Sequence, residues 1–94
     1  MKHNGKEIVI EYDAFPDGVR KLIKAYVAED TDAYLIGIDT HNAAIVQRFA
    51  LGHELAHVFL GHLDSSKPKA VQEREANKNA WKYYRLYRDT VQAM

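Results

Sequence analysis

Ninety-four residues make one small domain, expected to span 1–94, with enough chain for a single core and little to spare. The hydrophobic fraction of 47% and charged fraction of 28% are those of a soluble globular chain, and the absence of cysteine excludes disulfides and thiolate sites. A formal net charge of +0 excludes a whole-molecule field that would draw nucleic acid or an anionic membrane. The charge is unevenly spread: residues 1–66 sum to −4 and residues 67–94 to +4, which reads as a solvated basic face on a C-terminal helix rather than a nucleic-acid surface. The first residues form no apolar signal core and no run is long enough to cross a bilayer, so the expected location is cytoplasmic.

In chain order, Lys6 to Tyr12 predicts a short strand around Ile8-Val9-Ile10. Tyr12 to Gly18 reads as a turn, with Pro16 suited to a helix start. Val19, Leu22, Ile23, Tyr26 and Val27 recur at helical spacing and predict a helix over Pro16 to Glu29, broken by Glu29-Asp30-Thr31-Asp32. Ala33 to Asp39 is again strand-like, and Gly37 inside it either weakens the strand or lets another group approach closely. Asp39-Thr40-His41-Asn42 offers cap residues for a long helix over Ala43 to Leu60, with Gly61 as its stop. After an Asp64–Lys69 linker, Pro68 starts a third helix over about Ala70 to Asp89. Its stripe of Ala76, Ala80, Tyr83, Tyr84, Tyr87 and Val91 is small or aromatic, except that Glu73 opens it.

The chemistry sits on the middle helix, which carries His53-Glu54-Leu55-Ala56-His57, the His-Glu-x-x-His spacing. Residues four apart stand one turn above each other, so His53 and His57 present two imidazoles to one point. Glu54 lies about 100° further round, near enough to reach a water there without ligating. Two nitrogen donors, a neighbouring carboxylate and one missing ligand match a catalytic zinc site. The plain alternative is a structural histidine pair in a core helix.

Three residues compete for the third ligand. Glu73 returns to the level of His57 if the third helix packs antiparallel at 8–10 Å, with Asn77 one turn on and able to hydrogen-bond a ligand histidine. Glu75 points about 200° away from Glu73. His62, if the helix continues, points about 180° from His53 and reads as a helix-end histidine. An ordinary surface carboxylate remains the bland reading of Glu73.

Arg48-Phe49 ahead of the motif, His62 behind it, and Glu73-Arg74-Glu75-Ala76-Asn77 together resemble the ImmA/IrrE-type metallopeptidase family, over about residues 34–80. The resemblance implies a gluzincin-like zincin of minigluzincin size, with Zn2+ held by His53, His57 and Glu73 and Glu54 as catalytic base. It implies hydrolysis of a protein or peptide substrate, with a helix-turn-helix repressor of a mobile element or phage as the expected partner. A zinc-binding regulatory module without turnover is the other reading, and the presence of Glu54 argues for the enzyme. The expected fold is α+β: about two strands on three helices in the order β-α-β-α-α. An extended substrate is expected to add along the edge of the Tyr34–Ile38 strand. Tyr83, Tyr84 and Tyr87 are available to face a developing oxyanion, or simply to pack the core.

Overall fold

A computed structural model describes residues 1–93. Its elements are β1 (Lys2–His3), β2 (Lys6–Asp13), α1 (Asp17–Arg20), β3 (Ala25–Glu29), β4 (Ala33–Asp39), α2 (Ala44–Phe59), a 3₁₀ turn (His62–Asp64) and α3 (Lys69–Gln92). The α+β class expected from the sequence holds. The sheet does not: it has four strands in the order β1-β2-β4-β3, not about two. β2 and β4 run parallel from Glu7↔Ala33 to Asp13↔Asp39, while β1 and β3 are antiparallel to their neighbours.

The helix expected over Pro16–Glu29 is the main correction. Only the single turn Asp17–Arg20 is helical, and Ala25–Glu29 pairs with β4 instead. The apolar spacing of Val19 to Val27 fits a helix, but Tyr26 and Val27 are also strand formers, and pairing with β4 overrides local periodicity. The Tyr26 ring then explains Gly37. The two residues are cross-strand partners, and a Cβ on Gly37 would clash with the edge of that ring. The group that approaches the glycine is thus an aromatic side chain. The β1–β2 hairpin turns on Asn4 (φ 53°) and Gly5 (φ 76°), the Asn-Gly pair that two-residue hairpins favour.

One face of the sheet packs on α2. Ile8, Tyr34, Ile36 and Ile38 meet Leu51, Leu55 and Val58 in one cluster, with Tyr83, Tyr84 and Tyr87 packed against it from α3. The Tyr83 ring stacks on Phe59, centroids 5.2 Å apart, so core packing is the role the structure gives these tyrosines. Asp39, 2% exposed, turns inward at the end of β4 and its Oδ1 accepts from Phe15 N (3.1 Å), His41 N (3.2 Å) and His41 Nδ1 (2.7 Å). Burial pushes its carboxyl up, but those donors outweigh burial and hold it below the usual carboxylate range. It ties the β2–α1 connection to the entry of α2. The side-chain cap expected from residues 39–42 is not made: Ala43 is the N-cap and makes no side-chain cap bond.

Helices α2 and α3 come into close contact at Gly52. A Cβ there would strike the Ala80 carbonyl oxygen and come within 3.1 Å of Tyr84 Cβ, and Ala76 and Ala80 are fully buried on the facing helix. Gly52→Ala gains about 1 kcal/mol of helix propensity but overpacks a backbone contact, at about 1–3 kcal/mol or more. A net loss near 1 kcal/mol is expected, read as a fall of about 4–8 °C in melting temperature for a domain this size. Gly18→Ala, where an added Cβ meets nothing within 4 Å, is the control expected to show no such fall.

Candidate metal centre and active-site cleft

The close approach at Gly52 brings the start of α3 alongside the turn of α2 that carries the histidines. His53 Nε2 and His57 Nε2 lie 3.0 Å apart. Glu73 reaches both from α3, with Oε2 2.8 Å from His53 Nε2 and Oε1 3.4 Å from His57 Nε2. Among the described residues, these three form the group of side chains whose donor atoms could hold a metal ion.

The hydrogen bonds behind the imidazoles decide which atoms face the group. His53 Nδ1 is 2.8 Å from Asn77 Oδ1; an amide oxygen only accepts, so Nδ1 carries the proton and Nε2 a lone pair. His57 Nδ1 is engaged by His62 Nδ1 at 2.8 Å, which leaves His57 Nε2 toward His53 and Glu73. The donor atoms stand 2.8–3.4 Å apart, slightly closer on average than the roughly 3.3–3.4 Å edge of a tetrahedral zinc site with ligands at about 2.0–2.1 Å. The residues therefore fit a small divalent cation. Burial, reinforced by His53, lowers the pKa of His57 and favours the neutral, ligating imidazole.

Glu54 is 9% exposed, and neither of its carboxyl oxygens is both sealed from solvent and without a partner. It lines clefts on both sides of the histidine pair. One, of about 390 Å³, runs between the α1–β3 connection and α2, with Lys21, Lys24, Phe49, His53 and Glu73 also in its wall. The other, about 270 Å³, is lined by Val27, His57, Leu63, Gln72 and Glu73. Burial pushes the Glu54 carboxyl up to about 7, with His53 opposing and Glu73 adding to the rise. A carboxylate there exchanges a proton near neutral pH, where a general base is most effective.

The other two candidates for the third ligand lie elsewhere. Glu75 faces away from Glu73; its Oε1 is 2.8 Å from His62 Nε2, and its carboxylate pairs with Lys67 Nζ at 3.1–3.2 Å. Those contacts, His62 first, hold it below the usual carboxylate range. His62 is buried rather than a loose helix-end residue. The helix does not continue past Leu60: Gly61 takes φ +71° and the following 3₁₀ turn folds His62 back beneath His57. The Gly61 stop was readable, but where the turn would send the next side chain was not. Strand β3 was also missed, and with it the wall that Ala25 and Val27 give the two clefts. β4, expected to offer a free edge, is paired on both sides, by β2 and β3.

The family model Peptidase_M78, IrrE N-terminal-like domain, matches residues 8–83. No curated protein and no solved structure matches.

Proposed function

The chain belongs to the Peptidase_M78 family of IrrE N-terminal-like domains, and from that membership we propose that it is a zinc metallopeptidase of the gluzincin type. The observation that carries the reading is the convergence of His53, His57 and Glu73 on one point with both imidazole Nε2 atoms turned toward it. When bound, zinc supplies a Lewis acid for the scissile carbonyl and brings the pKa of a water toward ~7. Glu54 takes the proton of the attacking water on its carboxylate and delivers it to the leaving amine nitrogen. Its carboxyl lines both clefts beside the histidine pair, where a water and a substrate can reach it.

A polypeptide substrate in extended form fits the edge of β3. In an antiparallel ladder alternate residues bond inward. Asp39 N bonds Lys24 O, and Asp30 N bonds Ala33 O. The pairs at Lys24, Tyr26, Ala28 and Asp30 therefore face β4, and the backbone of Ala25, Val27 and Glu29 faces away. Ala25 and Val27 also wall the two clefts that flank Glu54. A substrate added along this edge crosses the histidine pair.

Proline is tolerated on an edge strand where its missing N–H faces away from the ladder. Val27→Pro is thus expected to keep the metal and a near-native melting temperature, yet lose about tenfold in cleavage, the worth of one hydrogen bond. Val27→Ala, which retains the N–H, is expected to cleave close to wild type. Equal cleavage by both variants, assayed on one peptide, would place the substrate elsewhere. The substrate protein expected for this site is a repressor-type regulator, as family resemblance suggests. Incubation of wild type and a metal-stripped sample with such a regulator tests it, with cutting expected only from the metal-loaded enzyme.

A further inference from the structure

His62 has the polar environment of a working residue, though it lies outside the ligand set. Its side chain is 1% exposed, and each ring nitrogen has one partner: Nε2 with Glu75 Oε1 and Nδ1 with His57 Nδ1, both at 2.8 Å. Such a chain of rings can run in either direction, and the direction decides whether His57 offers a lone pair or an N–H at Nε2.

Glu75 fixes the direction. Lys67 Nζ lies 3.1–3.2 Å from its two oxygens, and an ion-paired carboxylate only accepts. His62 must therefore donate from Nε2. A neutral imidazole has one N–H, so His62 Nδ1 is left with a lone pair and accepts from His57 Nδ1–H. His57 Nε2 is then unprotonated and faces His53 Nε2 and Glu73. The reverse order would put a proton on His57 Nε2 and block it as a ligand.

We propose that His62 and Glu75 are positioning residues that hold His57 in the Nδ1–H tautomer with Nε2 directed at the metal site, a role resting on the zinc reading above. The two ligand histidines are thus oriented by different acceptors. Asn77 Oδ1 serves His53 directly, whereas His57 is served by an imidazole that is itself oriented by a carboxylate. Loss of such an outer hydrogen bond typically weakens metal binding 10–100-fold.

The test is zinc affinity, measured by competition with a chelating dye on full-length protein, beside the melting temperature of the metal-free form. His62→Leu removes the acceptor and is expected to weaken zinc binding about 10–100-fold. His62→Asn places Oδ1 near the position of the ring Nδ1 and is expected to recover most of that loss, which a purely volumetric role for His62 would not produce. Glu75→Ala, on the partly exposed face of α3, leaves the core untouched and covers the case in which His62→Leu does not fold. It is expected to weaken zinc in the same direction. In wild type, long-range ¹H–¹⁵N spectra of the zinc-loaded protein are expected to show the His57 proton on Nδ1. Wild-type affinity in both His62→Leu and Glu75→Ala, or equal weakness of the Leu and Asn variants, overturns the positioning role alone. A wild type that binds no zinc overturns the metal centre itself, and this role with it.

Discussion

Glu54→Gln is expected to keep the metal and the fold while losing at least ~10²-fold in peptide-bond cleavage, the usual contribution of a general base. The amide matches the carboxyl in volume, and Glu54 is outside the group of three side chains that could hold the metal. Metal-free protein should show a second signature. Burial raises the folded-state pKa of Glu54 to about 7, above the ordinary ~4.3. A group whose pKa is raised on folding contributes stability that is full below the unfolded value and lost as pH rises through the folded one. Wild type stripped of metal is therefore expected to lose stability between about pH 4.3 and 7, and Glu54→Gln to lack that loss. Equal cleavage by the two proteins would mean that a contaminating protease does the cutting and that the domain binds zinc without turnover.

Glu73→Ala is expected to weaken zinc binding by more than the 10–100-fold that loss of a supporting hydrogen bond costs, because it removes one of the three converging donors. Glu75→Ala should fall within that smaller range, since Glu75 touches His62 and Lys67 rather than the histidine pair. Chelation should lower the melting temperature of wild type and leave Glu73→Ala almost unchanged, because metal binding free energy is also folding free energy. If Glu75→Ala loses zinc and Glu73→Ala retains it, the assignment of the two carboxylates is reversed.

The site was more legible than the sheet, for a physical reason. His53, Glu54 and His57 lie within one turn and a half of a single helix, where 3.6-residue geometry fixes their relative directions. Glu73 needed one further assumption, antiparallel packing at ordinary distance, and the small residues Gly52, Ala76 and Ala80 make that packing close. Asn77 follows one turn later and meets His53 as its position implies. β3 depended instead on a partner 10 or so residues away: Tyr26 and Val27 are compatible with helix or strand, and pairing with Gly37 and Ile36 decides between them. β1 was not expected either, although Asn4-Gly5 carries the pair that two-residue hairpins favour. The burial of His62 depended on the direction the chain takes after Gly61, which residue spacing along a helix does not carry.

The central claim, a metal held by His53, His57 and Glu73, is tested most directly by elemental analysis of protein expressed with ample zinc, wild type beside a variant with both His53→Ala and His57→Ala. About one zinc per chain is expected in wild type and essentially none in the variant. A wild type without zinc, or a variant that keeps it, would contradict the site.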